Sequence, residues 1–276
     1  MKNKKTYFGS LIILGKSNTG KSTLLNRLMN KNISITSFRT NSTKNCITGI
    51  KTDKEFQCVY LDTPGTINNI KQKEIIKRII KTERKYMSIL YLTKYLYWDN
   101  EDFLFLKDIK KYNIPVILLI NKIDTIKKKE NILSYIKKIK NKFIFSEIIP
   151  ISSKTGENID RLISLIKQKL LLRPHIFPKN YTTHSSVSFM ISEITRKKIL
   201  FFLKKEIPYN IQVLIKKLKI IKGEYYINAV IKTKYSKYIK ILIGKNGSMI
   251  KKLSTSARKE IQIFLKKRVH FFLTVI

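Results

Sequence analysis

The chain has 276 residues, 43% hydrophobic content and 14 Phe, enough for two domains with real cores. Its 57 Lys and Arg against 18 Asp and Glu leave a formal net charge of +39, which favours a polyanionic partner such as RNA, DNA or an anionic membrane and disfavours a basic one. Lys, Ile and Asn are over-used throughout, so part of that excess is compositional drift of the whole chain and part is functional. Cys46 and Cys58 have no C-x-x-C spacing and read as free thiols in a reducing compartment, while His175, His184 and His270 are too scattered for a metal cluster. No apolar stretch approaches the roughly 20 residues of a membrane span, and Gly15-Lys16 interrupts the first apolar run too early for a signal peptide. The expectation is a soluble, cytoplasmic monomer, with peripheral attraction to anionic lipid at the inner membrane as a further option.

Along the chain, short apolar runs first alternate with helical stretches. Strands are expected at 11–14, 47–52, 58–61, 89–93, 116–120 and 148–151. Helices are expected at 21–30, 70–82, 101–111, 126–143 and 157–171. This order implies an α/β domain with a mostly parallel sheet, helices on both faces, and a ligand at the carboxyl ends of the strands.

The first strand runs into Gly15-Lys16-Ser17-Asn18-Thr19-Gly20-Lys21-Ser22-Thr23, which fits the phosphate-loop spacing G-x-x-x-x-G-K-S. Glycines let backbone N–H groups wrap an anion, and the following helix points its positive end at it. Lys21 would reach the β/γ-phosphates and the Ser22 hydroxyl would ligate Mg²⁺. Asn18 offers an amide oxygen for a monovalent cation such as K⁺ beside the phosphates. The polar stretch 36–46 suits a switch segment whose Thr43 meets Mg²⁺ and the γ-phosphate. Next, Asp62-Thr63-Pro64-Gly65 ends the third strand. The Asp62 carboxylate can hold Mg²⁺ through water, and the Gly65 N–H can meet a γ-phosphate. Thr66-Ile67 follow it, so no switch glutamine orients water. Asn121-Lys122-Ile123-Asp124 ends the strand at 116–120. The Asp124 carboxylate can accept from guanine N1–H and its exocyclic amine, a pair adenine lacks. Asn121 would brace the loop, Lys122 would cover the base, and Ser152-Ser153-Lys154 would support guanine O6 through backbone N–H.

Arg173-Pro174, Phe177-Pro178 and the polar run 180–186 read as a linker. The boundaries are then 1–172 for the nucleotide domain, 173–186 for the linker and 187–276 for a small α+β domain. In the latter a helix at 188–204 precedes strand-like runs at 211–218, 225–233 and 238–243. Gly244-Lys245-Asn246-Gly247 follows, then a helix to about 265 and a last strand at 269–276. A G-x-x-G loop lets the backbone approach a nucleic-acid strand closely, with Lys251 just beyond it. Residues 186–276 carry 21 Lys and Arg against four Asp and Glu, as an RNA-contacting module needs.

These motifs, together with Ile33-Ser34-Ile35-Thr36-Ser37 and Glu206-Ile207-Pro208-Tyr209, are those of one family over nearly the whole length. The chain resembles Era, a bacterial GTPase family with a P-loop GTPase domain followed by a C-terminal type II KH domain. The resemblance implies a GTP-hydrolysing switch that binds 16S rRNA near its 3′ end and assists 30S subunit maturation. It also implies dependence on Mg²⁺ and K⁺, with Asn18 matching the cation-ligating asparagine and Thr43 the switch threonine. Ser42 and Ser153 replace the family's usual Thr and Ala. Thr66-Ile67 replace a hydrophobic residue and a histidine. The sequence ends at Ile276, where family members usually continue.

Two other readings remain at this level. Thr66-Ile67 and the early end favour a non-catalytic RNA-binding assembly factor that keeps the fold, and the charge alone admits a membrane-regulatory GTPase. A double-G-domain GTPase is disfavoured by the single phosphate loop.

Overall fold

The computed structural model describes residues 5–30, 33, 46–63, 70–83, 87–183, 186–203, 207–233 and 235–276. Thr43, Pro64-Gly65, Thr66-Ile67, Glu206 and most of 33–37 lie outside them. The chain divides into two compact units, Met1–His184 and Ser185–Ile276.

Unit 1 is built on β1 (Tyr7–Gly15), whose apolar run is buried on both faces, as a central strand of a parallel sheet requires. It lies between β3 (Phe56–Asp62) and β4 (Met87–Lys94), both parallel to it. The sheet continues through β5 (Val116–Asn121) to β6 (Glu147–Pro150), again in parallel. At the opposite edge β2 (Ile47–Asp53) pairs antiparallel with β3, giving the order β2-β3-β1-β4-β5-β6. A two-residue strand that sequence reading missed, β7 (Leu171–Leu172), pairs antiparallel with the start of β1.

The helices are α1 (Lys21–Met29), α2 (Ile70–Glu83), α3 (Asn100–Lys110), α4 (Glu130–Lys140) and α5 (Ile159–Lys169). Each lies where the sequence placed it, α2 and α3 within a residue of their expected ends and α1, α4 and α5 shorter than expected. Asn158, at φ 60°, sets the start of α5, and the chain after it turns into β7. Asp99 starts α3 through a capping box with Asp102, satisfying helix N–H groups that would otherwise lack partners. A core of Ile12, Leu14, Tyr91, Phe105 and Leu118 locks helices to sheet, so the carboxyl ends of β1, β3 and β5 are held in fixed register.

The segment 173–183, expected as a linker, lies along the β2–β3 edge of unit 1. The backbone N–H groups of Ile176 and Phe177 both donate to Gln57 Oε1 at 2.9 Å, and Gln57 Nε2 donates to Phe177 O at 2.8 Å. Further along, Ile50 N donates to Thr182 O at 2.9 Å, and Thr183 Oγ1 donates to Thr48 O at 2.6 Å. Phe177 adds apolar contact with the cluster of Phe8, Ile50 and Val59.

Unit 2 starts with α6 (Val187–Phe202), followed by β8 (Ile211–Ile221), β9 (Glu224–Thr233), α7 (Ser236–Ile243), α8 (Ser248–Leu265) and β10 (Val269–Val275). The sheet order is β10-β9-β8, with β8 antiparallel and β10 parallel to β9. Its core holds Ile191, Ile227, Leu253, Ala257, Ile261 and Phe271.

One expected strand is corrected. Residues 238–243 belong to α7, so the G-x-x-G loop sits between two helices and does not follow a strand. The run is rich in Ile and Tyr, which mimics a strand locally. Tertiary burial decides otherwise: Tyr238 and Leu242, four residues apart, face the core while Ile241 and Ile243 stay exposed.

Both thiols are free, Cys46 half-buried and Cys58 buried. Burial pushes each up to about 11, so both stay protonated at neutral pH. Among the described residues no cluster of His, Cys, Asp or Glu suits a metal ion, and no helix is long and apolar enough to cross a membrane.

Candidate functional site

The phosphate loop forms where β1 ends and α1 begins. Gly20 caps α1 at φ 101°, and a Cβ there would lie 2.2 Å from Asn121 Nδ2. Only glycine satisfies both the left-handed backbone and that close approach. Lys21, the first residue of α1, is buried inside the turn. Its Nζ donates to Gly15 O at 2.9 Å and Lys16 O at 2.8 Å, while Thr19 Oγ1 donates to Lys16 O at 2.9 Å. Burial lowers the Lys21 ammonium to about 8, against the opposing pull of Asp62. A buried cation at the first residue of a helix suits an anion held in the turn. Asn18 (φ 60°) and Ser17 lie in the turn, and Thr23 in the first turn of the helix.

Ser22 Oγ donates to Asp62 Oδ2 at 2.8 Å, and Asp62 is fully buried at the end of β3. Two motifs 40 residues apart are thereby brought together. A hydroxyl beside a carboxylate is an all-oxygen donor set, which suits Mg²⁺ and its retained waters. Thr63 Oγ1 donates to Ile13 O at 2.8 Å and pins this end of β3 to β1.

Asn121, at the end of β5, joins three loops. Its Nδ2 donates to Thr19 O at 2.7 Å in the phosphate loop, and its Oδ1 accepts from Ser153 N at 2.9 Å and Ser153 Oγ at 3.1 Å. Asp124 follows in a short helical turn, exposed, with Oδ1 accepting from Ser152 Oγ at 2.6 Å. Lys122 adopts φ 66°, and partial burial, aided by the charge of Lys94, lowers its ammonium below the ordinary range. Sequence reading missed Arg27. From α1 its Nε donates to Ser153 O at 3.2 Å and Nη2 donates to Lys154 O, fixing the backbone of the 152–154 loop. Nothing local marks a lone helix arginine for that task; only the fold brings it there.

In unit 2, Gly244 ends α7 at φ 76°, and a Cβ there would sit 2.7 Å from Met249 Cβ. Gly247 caps α8 at φ 74°. Lys245 and Asn246 stand exposed at the tip, and Lys251 in the first turn of α8. Ser248, Lys251, Lys252, Thr255, Ser256 and Lys259 lie along one face of that helix. A helix N-terminus flanked by lysines and hydroxyls is an anion-binding surface.

Residues 10–122 match the family model for "50S ribosome-binding GTPase" and residues 206–275 match that for "KH domain". The chain is 42% identical to the GTPase Era of Buchnera aphidicola subsp. Schizaphis graminum over 276 residues, covering 100% of this chain and 98% of the relative. It is 37% identical to that of Pasteurella multocida, covering 99% and 90%. Among solved structures, it superposes with TM-score 0.88 and 31% identity on Era in complex with MgGDPNP and nucleotides 1506–1542 of 16S ribosomal RNA, over 98% of this chain and 93% of the other. With Aquifex aeolicus Era bound to GDP and aluminium fluoride the TM-score is 0.87 at 30% identity, over 98% and 94%. On its full length, in both of its units and in the order of its motifs, the chain belongs to the Era family of GTPases.

Proposed function

We propose that this chain binds GTP with Mg²⁺ in unit 1, hydrolyses it, and binds the 3′ end of small-subunit rRNA through unit 2 to assist 30S maturation. The observation that carries the nucleotide half is Asn121 holding the phosphate loop and the 152–154 loop together, so that phosphate and base recognition form one rigid site. Gly15 to Thr23 cradle the phosphates by backbone N–H, and Lys21 gives its ammonium to the β- and γ-phosphate oxygens. Ser22 and Asp62 hold Mg²⁺, the latter through water, with Thr43 and Gly65 completing the γ-phosphate contacts. Bound Mg²⁺ neutralises phosphate charge; the positioning is done by the chain's own residues. Asp124 reads the guanine edge, Lys122 covers the ring, and Ser152, Ser153 and Lys154 form the far wall. The Asn18 side chain supplies an oxygen to K⁺ beside the phosphates.

For RNA, Gly244 to Gly247 take the sugar–phosphate backbone and Lys251 a phosphate, with GTP favouring the RNA-competent form and hydrolysis releasing the particle. The domain limits are 1–172 and 187–276 with 173–186 between them, and of that segment residues 173–183 serve as a strap docked on the first. Such a protein works as a cytoplasmic monomer, and its charge gives it salt-sensitive affinity for the inner membrane surface.

The test is GTP hydrolysis by the purified chain in K⁺ against Na⁺, with and without an oligonucleotide matching the 3′ end of 16S rRNA. Turnover raised by both K⁺ and RNA is the expected result. RNA binding without turnover would replace it with the non-catalytic assembly factor, and neither activity would overturn the reading.

A further inference from the structure

The Lys16 side chain has no part in the backbone cradle, yet its ammonium lies among three carboxylates. Its Nζ pairs with Asp99 Oδ2 and lies 3.3 Å from Asp102 Oδ2 and 3.6 Å from Glu101 Oε2. All three carboxylates belong to the N-terminal end of α3. We propose that Lys16 is a positioning residue for nucleotide binding: its side chain, seated in the acidic start of α3, holds the phosphate loop in its anion-binding shape. The inference rests on the reading of unit 1 as a GTP site.

The socket is built independently of the lysine. Asp99 Oδ1 accepts from Glu101 N at 2.9 Å and Asp102 N at 3.2 Å, and Asp102 Oδ2 accepts from Asp99 N at 3.1 Å. Tyr91 OH, from β4, donates to the other oxygen of Asp102, which is buried. The Asp99 and Asp102 carboxylates are therefore held in place. Lys16 is in turn gripped from both sides. Its carbonyl accepts from Lys21 Nζ and Thr19 Oγ1, and its ammonium is held by α3. Burial pulls the Lys16 ammonium down, but the Asp99 hydrogen bond and the charges of Asp102 and Asp99 more than offset it, so it stays above its ordinary range and fully charged.

Two consequences follow for a triphosphate. A loop tied at Lys16 loses less backbone entropy on binding, since it is already held at both the Lys16 carbonyl and the Lys16 ammonium. The lysine also neutralises part of an acidic cluster that would otherwise repel an incoming polyanion. Removing the side chain forfeits both, and arginine, with the same charge and reach, retains both.

The test uses the full chain, with Mg²⁺-dependent binding of fluorescent GDP and steady-state GTP hydrolysis. K16A should raise the nucleotide Kd and KM about tenfold, equivalent to about 1.4 kcal/mol, with kcat within about twofold. K16R should stay within about threefold of the parent. D99N keeps the oxygen that caps α3 and turns the one that accepts from Lys16 into an amide donor, so it should weaken binding about threefold when Lys16 is present, whereas in K16A it should cause no further loss and relieve part of the repulsion. Unchanged KM in K16A, a loss shared equally by K16R, or a D99N effect that adds in full to K16A would each overturn the proposal. A parent chain that binds no GDP at all would instead overturn the reading of the site on which it rests.

Discussion

Lys21→Met offers a perturbation whose sign separates function from stability. The Lys21 ammonium stands at about 8 in the folded, nucleotide-free protein, against 10.5 for an ordinary lysine. That gap corresponds to about 3 kcal/mol that the folded state gives up at pH 7 to keep a buried charge. Methionine has nearly the same length and no charge, so it relieves this cost. It also takes the Lys21 donor from Gly15 O and from Lys16 O, the latter still accepting from Thr19 Oγ1, at about 1 kcal/mol each. The net expectation is a nucleotide-free protein more stable by about 1–2 kcal/mol, or roughly 3–6 °C in the melting temperature of unit 1. The pH dependence follows from the same shift. Between about 8 and 10.5 the unfolded chain holds the Lys21 proton and the folded chain does not, so parental stability rises with pH across that window. The advantage of Lys21→Met should be full below pH 8 and vanish by pH 10.5. Differential scanning calorimetry with and without GDP is the assay. Exposed Lys138→Met controls for the change in net charge and should move the melting point by less than about 1 °C. The variant should also lose the stabilisation that GDP gives the parent. A nucleotide-free melting point at or below the parent's at pH 7, or a retained GDP shift, would refute the reasoning.

Other outcomes follow from the same geometry. Asp124→Asn should cost GDP at least ~100-fold in affinity while improving xanthosine diphosphate, because an amide donates where the base now accepts; competition binding with the two nucleotides checks it. Gly20→Ala should destabilise unit 1 and abolish GDP binding, since the new methyl meets Asn121; a normal melting point would contradict the close approach. Removing the fully buried Gln57 side chain by Gln57→Ala should cost about 2–4 kcal/mol and speed hydrogen exchange at the Ile176 and Phe177 amides. Parental protection of those amides would show the strap to be held elsewhere. Gly244→Asp with Gly247→Asp should weaken binding of the 16S 3′-end oligonucleotide about tenfold or more while sparing GDP affinity, measured by filter binding at fixed salt.

Much of the candidate nucleotide site can be read locally because its motifs are written in short, contiguous spacings. A glycine-bracketed turn, a carboxylate after a strand and Asn121-Lys122-Ile123-Asp124 each need a local backbone shape that local sequence specifies. The alternation of apolar runs with 3.6-residue periodicity likewise determined the parallel α/β order of unit 1, since a strand buried on both faces and a half-buried helix leave different patterns. What stayed illegible depends on partners distant in sequence. The run 238–243 has a strand's composition, but helix α8 and the sheet offer it a core at i and i+4, and burial outweighs local preference. Arg27 bonds carbonyls 126 and 127 residues away. Gln57 reaches a strap 120 residues on, and Lys16 meets acids 83 and more residues beyond it. Each of these is an ordinary polar residue until folding removes water from around it and presents a specific donor or acceptor. The sequence alone indicated which chemistry the loops are suited to; only the tertiary structure decided which side chains hold those loops still, because that requires groups distant in the chain to meet across the sheet.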